Sequence, residues 1–109
     1  MKKSFEYKDK MYTIGFTRRS VEQLESSGFR LSQLEDTPTS ALPKFVYGAF
    51  LGAHPQIRKS LADEIWAEFQ QKAEVIKWMI ESWYAVGSSM LDEPEENSGN
   101  GILLDLETD

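Results

Sequence analysis

The chain has 109 residues, of which 40% are hydrophobic and 12% aromatic, enough for one domain with a modest core. It has no cysteine and one histidine, which excludes disulfides, cysteine nucleophiles and multi-histidine metal sites. All 12 lysines and arginines and 11 of the 18 acidic residues lie in residues 1–91, so that part carries a net charge of +1, whereas residues 92–109 carry −7.

The N-terminal segment SFEYKDKMYTIGF has the two-residue period of β-strands. Its large apolar residues alternate with polar or small ones, at Phe5, Tyr7, Tyr12, Ile14 and Phe16. The polar run Lys8-Asp9-Lys10 is typical of a turn. This pattern predicts a β-hairpin over about residues 3–16. Because a lone hairpin is marginal in water, we expect one of its faces to pack on helices.

The first helix is predicted over about residues 18–27. Either Thr17 or Ser20 can cap its N terminus, since both hydroxyl side chains are good N-cap residues. Gly28 is suited to the left-handed conformation that often follows a helix end.

The second main helix is predicted over residues 41–53, after a single helical turn that ends before Pro38. Ser40 is placed as its N-cap and Pro43 in its first turn, where the missing N–H does no harm. The segment is apolar on most sides, which indicates burial between other elements. It also carries Gly48 and Gly52, one turn apart, each costing about 1 kcal/mol relative to alanine, so we expect another part of the chain to approach closely there.

The third helical region covers residues 61–91. Its apolar residues recur at steps of three and four, at Leu61, Ile65, Phe69, Ala73, Ile76, Ile80, Trp83, Gly87 and either Met90 or Leu91. The same stripe fits one long helix or two helices with a break near residues 71–72. On a helical wheel Trp78 lies about 160–200° from Ile76 and Ile80. Trp78 therefore faces away from the core unless another element, such as the hairpin, covers it.

The sequence contains no constellation typical of an enzyme, and neither phosphate-binding glycine motif is present. His54 is the only histidine and lies at a predicted helix end, where its charged form would suit the helix dipole. The carboxylates Asp63, Glu64 and Glu68 are interpreted as a solvated helix start. We predict no catalytic residues, no metal and no cofactor.

The acidic segment, residues 92–109, is predicted to be a flexible tail after a single globular domain over residues 1–91. Ile102, Leu103 and Leu104 interrupt its acidic residues, so a partner-binding or self-masking segment is the alternative. An acidic tail repels phosphate backbones, which argues against nucleic-acid binding. We also expect no membrane association, because no apolar run is long enough to span a bilayer.

The predicted fold class is therefore α+β and mostly helical. An N-terminal β-hairpin packs on a bundle of about four helices, and a disordered acidic C-terminal tail follows.

Four blocks of the sequence resemble a phage protein family. They are FEYKDKMYTIGFTRRSVEQLESSGF, ALPKFVYGAFLGAHPQIRK, LADEIWAEF and LDEPEENSGN, of which YGAFLGAHP is the most specific. In this order they resemble the small tail assembly chaperones of long-tailed phages and prophages of Gram-positive bacteria. The resemblance implies a non-enzymatic protein that binds the tape-measure protein before the tail tube polymerises around it. It also implies self-association, a place in the cytoplasm of the infected host bacterium and absence from the mature virion.

A chaperone of this kind must cover apolar surface reversibly, so large residues, several of which do not fit a single core stripe, are the candidates for partner binding. The helical wheel selects Tyr47, Phe50, Leu51, Trp66, Trp78 and Tyr84. Two alternative functions are a small acidic inhibitor that mimics DNA and a structural tail component that stays in the virion. The concentration of negative charge in the tail argues against the DNA mimic, which would spread charge over the folded surface.

Overall fold

The computed structural model describes residues 1–91, with side chains described through Ser88. Two strands, β1 (Lys3–Tyr7) and β2 (Lys10–Ile14), form an N-terminal hairpin. Five helices follow: α1 (Arg18–Ser26), α2 (Gln33–Asp36), α3 (Pro38–Leu51), α4 (Lys59–Glu68) and α5 (Lys72–Leu91). This architecture confirms the predicted α+β, mostly helical fold with a hairpin packed on helices. The predicted acidic tail, residues 92–109, lies outside the described residues.

The hairpin is antiparallel, with Phe5 opposite Tyr12 and Tyr7 opposite Lys10. Lys8 and Asp9 both have positive φ, 48° and 64°, as the type I′ turn of a two-residue hairpin requires. The ring of Phe5 meets that of Phe50 edge-on with centroids 6.2 Å apart. The hairpin therefore packs its aromatic face on α3, as expected.

Thr17 is the N-cap of α1, which settles the choice between Thr17 and Ser20. The two residues form a capping box, because each side-chain oxygen accepts from the other's backbone N–H. At the other end Gly28 has φ 92°. The Phe29 N–H donates to the Leu24 carbonyl at 3.0 Å, which completes a Schellman ending.

Helix α3 begins three residues earlier than predicted. Thr37 is its N-cap and Pro38 its first residue, a position that suits proline because the N–H there has no helical partner. Ser40 is therefore inside the first turn and not the cap. Pro43 lies in the helix interior and not in its first turn. Because proline has no N–H, it cannot donate the usual helical hydrogen bond to the Thr39 carbonyl.

The two glycines of α3 are sites of close approach, as predicted. A Cβ on Gly52 would lie 2.6 Å from the Gly15 carbonyl oxygen, in the segment that follows β2. A Cβ on Gly48 would lie 2.6 Å from Leu24 Cδ1. The glycines let α3 pack against both the end of the hairpin and helix α1.

The long apolar region is broken into two helices, α4 and α5. Phe69 leaves α4 with an extended ψ of 137°, and Gln71 has φ 55° in the left-handed region. Lys72 Nζ donates to the carbonyls of Ala67 and Phe69 at 3.2 and 2.7 Å. These carbonyls at the C terminus of α4 lack helical partners, so the lysine stabilises the break.

The core-facing side of α5 differs from the predicted stripe. Met79 and Ser82 are its most buried residues, at 0% and 1% exposure, whereas Ile76 and Ile80 are half-buried. Ser82 is tolerated there because its Oγ accepts the Phe16 N–H at 2.9 Å. The remaining buried apolar side chains come from the hairpin end, from helices α1, α3 and α4, and from Phe29 in the loop after α1.

Candidate functional site

A groove of about 690 Å³ lies between strand β1 and helices α4 and α5. Its lining includes all five residues of β1, the loop between α4 and α5, and the first three turns of α5. The apolar lining residues are Phe5, Ile14, Ile65, Phe69, Val75 and Trp78. This combination of an apolar floor and an exposed opening is typical of a surface that binds another chain.

The helix break places Phe69 in this groove. Because the chain turns away from the helical path at Phe69, the ring reaches back to Phe5, with centroids 5.0 Å apart and planes perpendicular. Across the groove, Lys3 Nζ lies 5.3 Å from the ring centroid of Trp78, a cation–π distance. Phe69 and Trp78 thus link the hairpin to the two helices of the groove.

Charged residues around the groove are mostly acidic. Four carboxylates belong to its lining, at Glu6, Glu68, Glu74 and Glu81, against two ammonium groups, at Lys3 and Lys77. Lys3 is also engaged with the ring of Trp78. The groove is therefore negative, although residues 1–91 as a whole carry +1.

The two outer edges of the hairpin differ in their partners. On β2, the Thr13 N–H donates to His54 Nε2 at 3.0 Å. The Gly15 N–H, just beyond the strand, donates to the Ala49 carbonyl at 2.9 Å. The end of α3 and the loop that follows it thus cover this edge, and the β1 edge faces the groove instead.

His54 has a structural role beside the hairpin. Its Nε2 accepts a hydrogen bond from the Thr13 backbone N–H at 3.0 Å. Its ring also packs 5.4 Å from that of Tyr12. His54 therefore fixes the hairpin to the end of α3 as a hydrogen-bond acceptor.

Near the turn of the hairpin, a second polar cluster joins it to α4. The Tyr7 hydroxyl donates to Glu64 Oε2 at 2.6 Å, and Lys8 Nζ lies 3.6 Å from the same oxygen. The hydrogen bond from Tyr7, followed by the charge of Lys8, lowers the pKa of Glu64. The same bond raises the pKa of Tyr7, and the charge of Glu64 raises the pKa of Lys8. This exposed cluster orients the hairpin relative to the groove.

The six predicted partner-binding residues do not form one surface. Trp78 is half-buried and lines the groove, so the hairpin covers part of it, which was the alternative interpretation. Tyr84 is 62% exposed and does not line the groove. Trp66 is half-buried beside Phe69, with ring centroids 5.4 Å apart.

The three candidates on α3 have mainly structural contacts. Phe50 is 0% exposed and belongs to the core, so the prediction that it binds a partner is wrong for this fold. Phe50 follows the buried Val46 by one helical turn and faces the same core. Tyr47 is half-buried and its hydroxyl donates to the Ile57 carbonyl at 2.8 Å. Leu51 is half-buried at the end of the helix.

Sequence reasoning missed the β1 edge, together with Phe69 and Val75, as part of the groove. One signal was available, because a hairpin of two strands always has two outer edges. Which edge remains open depends on where the loop with His54 lies, and the sequence pattern does not contain that information.

Within residues 1–91, no group of three or more histidine, aspartate or glutamate side chains is placed to hold a metal ion. Along the same residues, none of the helices combines the length and the apolar character that crossing a bilayer requires.

Comparison with curated proteins gives no significant match, and comparison with solved structures gives none either. One family model matches residues 2–105, nearly the whole chain. The chain therefore belongs to the family described as Domain of unknown function (DUF5055).

Proposed function

We propose that this protein is a non-enzymatic tail assembly chaperone that binds the tape-measure protein of a phage tail and keeps it soluble until the tube assembles. It acts in the cytoplasm of the host bacterium, associates with itself and does not remain in the mature virion. The identity of the partner rests on the four sequence blocks that resemble this class of phage protein.

The observation that carries the proposal is the groove between β1 and α5. A long amphipathic chain exposes apolar surface that aggregates unless another protein covers it. The groove offers apolar surface for this purpose, from Phe5 at one wall to Trp78 at the other. Such binding requires shape and apolar contact and no catalytic group.

Co-expression with the adjacent tape-measure protein tests the proposal. We expect the tape-measure protein to be soluble only when this chain is present, and the two to elute together at a defined mass in affinity purification with light scattering. If the tape-measure protein behaves identically without this chain and no complex forms, the chaperone function is wrong. Assays against host nucleic-acid enzymes would then test the acidic inhibitor.

Trp78→Ala is the variant that tests the groove, because it removes the largest apolar side chain of the wall on α5. We expect it to reduce recovery of the tape-measure protein at least about tenfold, which corresponds to ~1.4 kcal/mol of binding free energy. Tyr84→Ala is the matched control, since Tyr84 is an exposed aromatic residue on the same helix outside the groove lining. If Trp78→Ala and Tyr84→Ala recover equal amounts of the tape-measure protein, Trp78 does not contact it.

A further inference from the structure

The β1 edge of the hairpin carries backbone groups without partners. Tyr7 and Lys10 flank the two-residue turn, so they form a hydrogen-bonded pair, and such pairs then alternate with non-hydrogen-bonded ones. The backbone N–H and C=O groups of Phe5 and Lys3 therefore form hydrogen bonds with β2, whereas those of Ser4 and Glu6 point outward. The Thr13 N–H, opposite Ser4, also points outward and reaches His54, which agrees with this register. Within residues 1–91 the outward groups of Ser4 and Glu6 have no hydrogen-bond partner.

These outward groups face the groove, since Ser4 and Glu6 are both in its lining. An extended segment placed along β1 could form up to four backbone hydrogen bonds with the two residues. Alternate side chains of that segment would point toward the apolar floor, on the face of the sheet that carries Phe5, and the others away from it. A helix could fill the groove but could not satisfy the strand edge, because its backbone groups are bonded internally.

The charges of the groove select the kind of segment. Three carboxylates, of Glu68, Glu74 and Glu81, come from the helices, and the side chain of Glu6 is on the sheet face opposite Phe5. Basic side chains that point away from the floor would lie on the same sheet face as Glu6, and the helix carboxylates would attract them over a longer distance, whereas acidic side chains would be repelled. The acidic tail, residues 92–109, carries −7 and is therefore a poor match for its own groove.

We infer that the groove binds an extended segment of a partner protein, in which apolar residues alternate with lysine or arginine, as a third strand paired to β1. This inference deepens the proposed function, on which it rests for the identity of the partner, by naming the segment that the tape-measure protein would present. Addition of a strand to a sheet edge supplies affinity through the backbone and specificity through alternate side chains.

The direct test uses the full chain and a synthetic peptide in which valine and lysine alternate, long enough to cover the five residues of β1. Amide hydrogen exchange is followed by NMR with and without the peptide. We expect the amides of Ser4 and Glu6 to become at least about tenfold more protected, and that of Met11, outward on β2, to remain unchanged. A valine–glutamate peptide of equal length is expected to bind at least about tenfold more weakly.

Two proline variants form a matched pair on the protein. Glu6→Pro removes an outward N–H on β1 that the hairpin does not use, and Met11→Pro removes the equivalent N–H on β2. We expect Glu6→Pro to weaken peptide binding at least tenfold and Met11→Pro to leave it within about twofold. Glu6→Gln separates the lost charge from the lost N–H. If a proline variant does not fold, the exchange experiment on the unaltered chain decides.

Failure of this inference differs from failure of the proposed function. The inference is overturned if the valine–lysine peptide does not bind, if it binds without protecting Ser4 and Glu6, or if Glu6→Pro binds it as the unaltered chain does. If the peptide protects both amides while the tape-measure protein does not depend on this chain for solubility, the groove assignment is correct and the partner is a different protein.

Discussion

Ser82 is the residue whose single hydroxyl connects the end of the hairpin to α5. Its Oγ accepts the Phe16 N–H, and its side chain is 1% exposed. We expect Ser82→Ala to lower the free energy of unfolding by about 1–3 kcal/mol, because the Phe16 N–H would be buried without a partner. Urea denaturation measures this change. Ser88→Ala, an exposed serine on the same helix, should change stability by less than about 0.5 kcal/mol, and equal effects would contradict the assigned bond.

Gly52 is the residue at which helix propensity and packing oppose each other. Alanine would favour the helix by up to about 1 kcal/mol. Its Cβ would also lie 2.6 Å from the Gly15 carbonyl oxygen, a backbone atom that cannot rotate away. We expect Gly52→Ala to destabilise the protein by about 1–3 kcal/mol, because the hairpin end must shift.

Gly87→Ala is the matched control for Gly52→Ala. Gly87 is exposed on α5, and apart from its chain neighbours and the backbone of its own helix no described heavy atom lies within 4 Å of its added Cβ. Because only the helix propensity changes at this position, we expect Gly87→Ala to raise the free energy of unfolding by about 0.5–1 kcal/mol. Thermal and urea unfolding of the two variants should shift in opposite directions, and a stabilised Gly52→Ala would show that the contact with Gly15 is not tight.

At the scale of elements, the link from the hairpin to α4 depends on pH. The pKa of Glu64 is lowered in the fold, so its contribution to stability is present above the ordinary carboxyl value of 4.5 and is lost as pH falls through the lowered value. The pKa values of Tyr7 and Lys8 are raised, so their contributions are present below their ordinary values of 10.0 and 10.5 and are lost as pH rises further. All three groups therefore contribute to stability together between roughly pH 5 and pH 10.

Replacement of Glu64 by glutamine tests this pH dependence. We expect Glu64→Gln to have a lower melting temperature than the unaltered protein at neutral pH, with the difference shrinking toward both acid and alkaline extremes. The change is small, because all three groups are exposed to solvent. Glu68→Gln, on the same helix, is the control. A difference between Glu64→Gln and the unaltered chain that stays constant with pH would contradict the assigned cluster.

Elements determined by local sequence could be predicted, and those determined by distant contacts could not. The hairpin, the α1 cap and the Gly28 helix end each depend on a few neighbouring residues, and each was predicted, with Thr17 as one of two candidates for the cap. The rotation of α5 was not, because Val75, Met79 and Val86 form a second stripe of the same period beside the predicted one. A periodic pattern does not show which of two such stripes faces the core. The hydrogen bond that fixes the rotation joins Ser82 to Phe16, and these residues are 66 positions apart in the sequence.

The candidate site shows the same division between local and distant information. Trp78 could be found, because a large aromatic residue off the core stripe is visible in the sequence. Phe50 was assigned wrongly, because α3 is apolar on most sides and its solvent face depends on what packs around it. The open edge of β1 depends on His54, which lies 41 residues from Thr13 and covers the other edge.

At the scale of the whole molecule, the distribution of charge separates the binding surface from the tail. Residues 1–91 carry +1, the groove within them is acidic, and residues 92–109 carry −7. Like charges disfavour contact between residues 92–109 and the groove, whereas a basic segment of another chain would be attracted to it. Charge in the tail and apolar contact in the groove can therefore be tested independently.

Deletion of residues 92–109 is the variant that distinguishes the chaperone from an acidic inhibitor. It removes seven acidic residues and none of the groove residues. We expect the shortened chain to keep at least part of its recovery of the tape-measure protein in co-expression, because the groove is unchanged. A full-length chain with the seven acids replaced by asparagine or glutamine separates the charge of the tail from its length. Complete loss of recovery in both variants, with an unchanged melting transition, would mean that the acidic charge of residues 92–109 and not the groove binds the tape-measure protein. An inhibitor that mimics DNA would instead lose its activity against host nucleic-acid enzymes in both variants.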